Sequence, residues 1–304
     1  MPDHAPTNNS LKVLPGPDGV GSPARARVQV DHVRASGILT PARGYIGEYD
    51  FTLNPYSGCG FGCAYCYAAA FSSSAERRDR WGSWVSVKSN AAELITRSRK
   101  RLTGRTIYMS SVTDPYQPIE LRIGLSHAIL QALLPAQPGL VVQTRSPFVL
   151  RDAELLKLFD RASVNVTLST DNDDTRRMFE PLSPSVNKRL ETIRALASTG
   201  LRVGVALAPL LPLTDAAEFC RVLRDSGAAT FVVDPFHAAS GRFRARTRDE
   251  SAAPAQSVGW DKAAYARTRD VLFERLPGIR EGASGFAPSV LLAAAHHPGS
   301  GCTG

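Results

Sequence analysis

The chain has 304 residues, 43% of them apolar and 21% charged, which excludes disordered, collagen-like and disulfide-scaffold classes and fits one large domain with tails or two small ones. The net charge of +8 raises nucleic acid or another phosphorylated molecule as a partner, yet only six of the 36 basic residues are lysine, and a compositional habit of an arginine- and alanine-rich source produces the same bias. No apolar run reaches the roughly 18 residues of a membrane span, and the N-terminal residues lack the basic-then-apolar layout of a secretory signal, so no membrane partner and a cytoplasmic location are expected.

Residues 1–47 are rich in Pro, Gly and small polar residues without helical or strand periodicity, and read as a flexible N-terminal extension. Short apolar runs then alternate with amphipathic stretches through residues 48–235. The expected strands are Phe51 to Asn54, Thr106 to Ser110, Leu140 to Thr144, Ser163 to Ser169, Leu201 to Ala208 and Thr230 to Asp234. Helices are expected from Ala91 to Arg101, Leu121 to Leu134, Arg151 to Asp160, Val186 to Ser198 and Asp215 to Ser226. Strict alternation points to a parallel α/β barrel, complete or partial, with a doubly wound sheet as the alternative. Residues 236–304 read as a small C-terminal extension with one helix at about 260–276 and a Gly-rich tail.

Chemistry in such folds gathers where strands end. The first strand is followed by Cys59, Cys63 and Cys66, with Gly58, Gly60 and Gly62 between and around them. Five cysteines, odd in number and unevenly spaced, suit metal binding or catalysis in a reducing compartment better than disulfides. Thiolates suit zinc or an iron–sulfur cluster. A structural zinc site wants four closed ligands and no nearby His or Cys completes this one, whereas three cysteines on a [4Fe–4S] cluster leave one iron open to a ligand.

The spacing Cys59-X3-Cys63-X2-Cys66, with Tyr65 before the last cysteine, resembles the radical S-adenosylmethionine (SAM) superfamily. The segments Ser110-Ser111-Val112-Thr113-Asp114-Pro115-Tyr116-Gln117-Pro118-Ile119-Glu120, Phe179-Glu180-Pro181, Arg189-Leu190-Glu191 and Ala208-Pro209-Leu210-Leu211-Pro212 are similar to the branch that includes spore photoproduct lyase and its uncharacterised relatives. The resemblance implies a partial (βα)6 parallel barrel. It also implies a [4Fe–4S] cluster on Cys59, Cys63 and Cys66, cleavage of SAM to a 5′-deoxyadenosyl radical that takes hydrogen from a substrate, and an external one-electron reductant such as flavodoxin or ferredoxin.

On that resemblance, strand-end residues are expected to bind SAM: Asp114 or Thr113 at the ammonium, Arg145 at the carboxylate, Ser169 at the ribose or carboxylate, and Tyr65 against the adenine. Tyr65 and Tyr67 match tyrosines beside the last cluster cysteine in those lyases, and Tyr67 is the expected radical relay. Ser111 stands where they carry a hydrogen-donating cysteine, so photoproduct repair is the alternative activity and not the leading one. A non-catalytic, metal-stabilised nucleic-acid-binding protein is the other alternative.

Remaining features read as background. The terminal Gly299-Ser300-Gly301-Cys302-Thr303-Gly304 has no helix after it to cradle a pyrophosphate, and Cys302 with His296 and His297 lies in the same tail. Cys220 reads as core packing, the arginines 242, 244, 246 and 248 as a solvated run, and Trp81 and Trp84 as core packing or a substrate wall.

Overall fold

The computed structural model describes residues 28–237 and 246–292. Eleven strands are formed among the described residues: β1 (Gln29–Val33), β2 (Leu39–Pro41), β3 (Phe51–Leu53), β4 (Tyr56–Ser57), β5 (Trp84–Lys88), β6 (Thr106–Met109), β7 (Gly139–Thr144), β8 (Ala162–Thr167), β9 (Arg202–Leu207), β10 (Thr230–Val233) and β11 (Arg280–Glu281). Six of them, β3, β6, β7, β8, β9 and β10, lie side by side in parallel and in chain order. A doubly wound sheet needs a reversal of strand order; here there is none, so the sheet is a singly wound partial barrel. β2 adds antiparallel to β3 at one edge and β11 parallel to β10 at the other.

Alternate residues of a strand face opposite ways, and the two faces of this sheet have different partners. Ile107, Met109, Leu140, Val142, Val164, Val166, Val203 and Val205 join the apolar layer under the helices. On the other face Tyr108, Val141, Ala206 and Val232 meet Tyr49, Phe286, Leu291 and Leu292. That inner layer is partly polar: the Tyr108 hydroxyl donates to Gln143 Oε1 at 2.7 Å, and Gln143 Nε2 donates to Thr167 Oγ1 at 2.6 Å.

The flexible extension expected up to residue 47 needs correction among the described residues, because β1 pairs in parallel with β5, Gln29 opposite Trp84, and β2 pairs with β3. Their sequences show no clean alternation, and their partners lie tens of residues away. Likewise the C-terminal segment is part of the barrel: β11 extends the sheet, Phe286 and Leu291 cover its inner face, and the helix Lys262–Arg275 contributes Leu272 to the main core.

The helix expected from Leu121 to Leu134 is broken into Glu120–Ile123 and Leu125–Leu133 by Gly124, whose φ of 65° is a left-handed cap. The one from Arg151 is shortened to Ala153–Lys157, after a 3₁₀ stretch Pro147–Asp152. Cys220 is fully buried in the core as expected. Arg242, Arg244, His296, His297, Cys302 and the terminal glycines lie outside the described residues. Arg246 pairs with Asp249 at 2.7 Å and Arg248 with Glu250. No helix among the described residues is long and apolar enough to cross a membrane.

Candidate active site at the strand ends

The loop from Ser57 to Cys66 follows β3 and β4, and its backbone is held from beneath by the segment after β6. Thr113 Oγ1 donates to the Gly58 carbonyl at 2.8 Å, and Gln117 accepts from the Gly60 amide at 2.7 Å while its Nε2 approaches the same Gly58 carbonyl at 3.4 Å. Gly58 has a φ of +75°, and a Cβ there would come within 2.5 Å of the Trp84 carbonyl oxygen. Gly62 and Gly82 touch so closely that a Cβ on Gly82 would lie 2.7 Å from the Gly62 Cα. The glycines therefore allow the loop to be folded tightly against β5.

Cys59 and Cys63 are buried and Cys66 is partly exposed. Burial, followed by Asp114 and Cys63, pushes the Cys59 thiol well above its ordinary range. Burial and then Cys63 push Cys66 up to about 12, and burial raises Cys63 against the opposing pull of Arg145. All three are thus thiols at neutral pH in this state, and loading a metal means losing protons. Among the described residues no three His, Cys, Asp or Glu side chains are gathered tightly enough to hold a single ion.

Over Cys63 stands Arg145, which meets three partners through one nitrogen. Its Nη1 lies 3.0 Å from Cys63 Sγ, 3.0 Å from the Tyr65 hydroxyl and 2.9 Å from Glu180 Oε1. The Tyr65 hydroxyl donates to the same Glu180 oxygen, and the fully buried Arg189 takes Oε2 at 2.6 Å. Burial alone would raise the Glu180 carboxyl, but Arg189 and Arg145 overcome it and bring it down to about 2. Glu180 is therefore an anion fixed between two guanidinium groups, and it aligns both Arg145 and Tyr65.

Asp114 works one layer below. Its carboxylate accepts from Thr144 Oγ1 at 2.7 Å, the Arg145 amide at 2.9 Å and the Tyr116 amide at 2.8 Å. Burial raises its pKa while those bonds hold it back. The backbone of Arg145 is thereby pinned where β7 ends. Ser169, just beyond β8, is fully buried, and its Oγ has no partner among the described residues, as is also true of Ser110 Oγ after β6. The Tyr67 hydroxyl donates to the Ser111 carbonyl at 2.5 Å, and its ring meets His237 edge-on at 5.5 Å. His237 in turn pairs with Asp234 at 2.9 Å where β10 ends.

Of the residues expected from sequence, the structure thus joins Cys63, Tyr65 and Arg145 in one hydrogen-bonded group, sets Asp114 beneath it, and gives Thr113 to the cysteine loop. Glu180, Arg189, Gln117 and the Asp234–His237 pair had no role in the sequence reading. Glu180 and Arg189 lay in segments singled out for their resemblance, yet nothing local says that a carboxylate at position 180 will be clasped by arginines 35 residues before it and nine after.

Residues 53–225 match the family model described as the Radical SAM superfamily. An uncharacterised protein of Methanocaldococcus jannaschii is 33% identical over 187 residues, 62% of this chain and 70% of that protein. The radical SAM Nalpha-GlyT isomerase of Pseudomonas phage M6 is 27% identical over 163 residues, 52% of this chain and 32% of that enzyme. A solved structure of spore photoproduct lyase complexed with dinucleoside spore photoproduct shares the fold at a TM-score of 0.55 and 14% identity, covering 83% of this chain and 81% of the other.

Proposed function

We propose, since the chain belongs to the radical SAM superfamily and is a radical SAM enzyme, that Cys59, Cys63 and Cys66 hold a [4Fe–4S] cluster and that the adjoining strand ends bind SAM. The observation that carries this reading is the Arg145 guanidinium, held by Tyr65 and Glu180, standing 3.0 Å from Cys63 Sγ in the glycine-rich loop. The donor set suits the group: three thiols in one loop with no fourth ligand gathered to them among the described residues, beside two buried serine hydroxyls, at 110 and 169, that lack partners among those residues.

When bound, the cluster supplies the electron that splits the S–C5′ bond of SAM and so starts radical chemistry on a substrate. The protein's own residues bind and orient. Arg145, held by Glu180 at its side chain and by Asp114 at its backbone, offers its guanidinium to the carboxylate of the methionine end. Tyr65, fixed by Glu180 and leaning on Phe236 at 6.3 Å, gives the adenine a flat wall. Ser169 Oγ is free to bond the ribose or the carboxylate, while Thr113 serves the loop by holding Gly58. Tyr67 is the relay for a hydrogen atom beside Ser111, and an external one-electron reductant such as flavodoxin or ferredoxin completes the requirement.

The substrate reading that best fits is a nucleic acid or another phosphorylated molecule. It is supported by the net charge of +8 and by the names of the phage isomerase and of the lyase with its dinucleoside photoproduct. Photoproduct repair itself is disfavoured by Ser111, since an O–H bond is a far poorer hydrogen-atom donor than a thiol. The test is anaerobic reconstitution with iron and sulfide, then dithionite and SAM, with 5′-deoxyadenosine measured by chromatography. Slow release by the unmodified protein and none by Cys63→Ala is expected; no release by either would contradict the reading. In Arg145→Ala, SAM affinity should fall roughly tenfold or more with the iron content unchanged, as for loss of a charge-assisted pair.

A further inference from the structure

The candidate active site lies at the C-terminal ends of the strands, and the opposite, N-terminal rim of the sheet concentrates positive charge. The helix Ala91–Ser98 runs on into the 3₁₀ turn Arg99–Arg101, from which the chain passes through Arg105 into β6. Arg99, Lys100 and Arg101 are exposed and have no acidic partner among the described residues, and residues 94–105 contain no Asp or Glu. Arg105 differs, because Asp50 holds its Nη1 at 2.9 Å. Cations near a helix C-terminus are stabilising in their own right, so this turn alone is ordinary.

A second segment makes it a surface. Arg161, immediately before β8, is also exposed and without an acidic partner among the described residues, with Asp160 exposed beside it. Its carbonyl accepts from the Leu140 amide at 2.8 Å, and the Arg105 carbonyl accepts from the Gly139 amide at 2.8 Å, so the two arginines flank the start of β7. Neighbouring strands lie about 4.8 Å apart, which sets those two backbones about 10 Å from one another. A Cβ on Gly139 would stand 3.7 Å from Arg161 Cζ and 3.3 Å from Thr106 Cγ2, so the glycine leaves room for the Arg161 guanidinium to reach across onto β7, toward β6. Other exposed arginines without an acidic partner, such as Arg78, Arg122 and Arg194, stand on three different helices. A nucleic-acid backbone fits such a row: guanidinium groups take phosphate oxygens through paired N–H donors, and each phosphate neutralised releases counterions. Neither residues 97–105 nor 159–162 present an exposed aromatic ring for an unpaired base to stack on, which favours a duplex over a single strand.

We propose that the rim formed by Arg99, Lys100, Arg101 and Arg161 binds the phosphate backbone of duplex nucleic acid without regard to sequence, at the end of the barrel remote from the cysteines. The proposal rests on neither the cluster nor the SAM reading, which stand or fall separately in the 5′-deoxyadenosine assay. Fluorescence anisotropy of a labelled DNA duplex, titrated with the full chain at several salt concentrations, tests it. Binding is expected with a Kd of roughly 1–100 μM at physiological salt, and tighter than to a single strand of the same length. The logarithm of the affinity should fall against the logarithm of salt with a slope of about −3 to −4, one phosphate for each of the four cations. Arg99→Gln, Lys100→Gln and Arg101→Gln together should make that slope shallower by about three and weaken binding at low salt tenfold or more; Arg161→Gln alone should make it shallower by about one. Removing the same charge elsewhere, with Arg78→Gln, Arg122→Gln and Arg194→Gln together, should leave the slope unchanged. Absence of binding at low salt, an equal loss in this control variant, duplex affinity no higher than that for the single strand, or rim-dependent binding to anionic phosphatidylglycerol vesicles in place of the duplex would overturn the proposal.

Discussion

At the scale of single residues, Glu180 is the group whose loss should be felt most. It is completely buried, paired with Arg189 at 2.6 Å and Arg145 at 2.9 Å, so removing its charge leaves two guanidinium groups facing each other across a dry space. Breaking such a pair costs about 3–5 kcal/mol. The pH dependence follows from the depressed carboxyl at about 2. An unfolded Glu titrates near 4.3, so the stability Glu180 contributes is fully present above that value and is lost as pH falls toward the folded one. Thermal melts between pH 7 and pH 3 should therefore show Glu180→Gln destabilised at neutral pH and less sensitive to acid than the parent. Parallel curves for the two proteins would deny Glu180 this role.

At the scale of elements, the cysteine loop stands on a contact with β5 that only glycine permits. Gly58→Ala combines a positive φ with a Cβ 2.5 Å from the Trp84 carbonyl oxygen, and should cost about 1–3 kcal/mol while lowering the iron retained after reconstitution. Iron assay after gel filtration, beside a melting curve, checks both; full iron content would show that the loop tolerates the shift.

The same scale shows what the sequence made legible. The six barrel strands could be read because each is short and rich in apolar residues, nearly continuous as in Leu140-Val141-Val142 or alternating as in Ser163-Val164-Asn165-Val166-Thr167. The cysteines could be read because their spacing is local. β1 escaped because Gln29-Val30-Asp31-His32-Val33 has no buried apolar face and becomes a strand only through Trp84-Val85-Ser86-Val87-Lys88. The break at Gly124 was visible as a glycine inside a helical pattern, yet apolar periodicity carried the reading across it. Glu180, Gln117 and Asp234 could not be assigned for a different reason: their partners are set by tertiary contact, and nothing local to each says which distant residue it will meet.

At the scale of the whole molecule, the described C-terminal residues complete the barrel that begins at β2. The Tyr49 hydroxyl donates to the Phe286 carbonyl at 2.8 Å, and the Phe286 ring meets Tyr108 on the inner face of the sheet. Phe286→Ala should therefore destabilise the entire fold, by about 3 kcal/mol as for a buried aromatic cut back to alanine, in one cooperative transition. A separate early transition with the main one unchanged would instead make this segment an appendage. The cysteines, Arg145 and Glu180 all lie on connections that follow strands of this one sheet, which is how a short loop and residues more than eighty positions apart come to serve one site. The most direct measurement of that arrangement is the low-temperature electron paramagnetic resonance spectrum of the anaerobically reconstituted, dithionite-reduced protein, before and after SAM is added. A cluster open at one iron predicts a reduced iron–sulfur signal that changes on addition of SAM; a spectrum without that signal, or one that SAM leaves unaltered, would contradict the account.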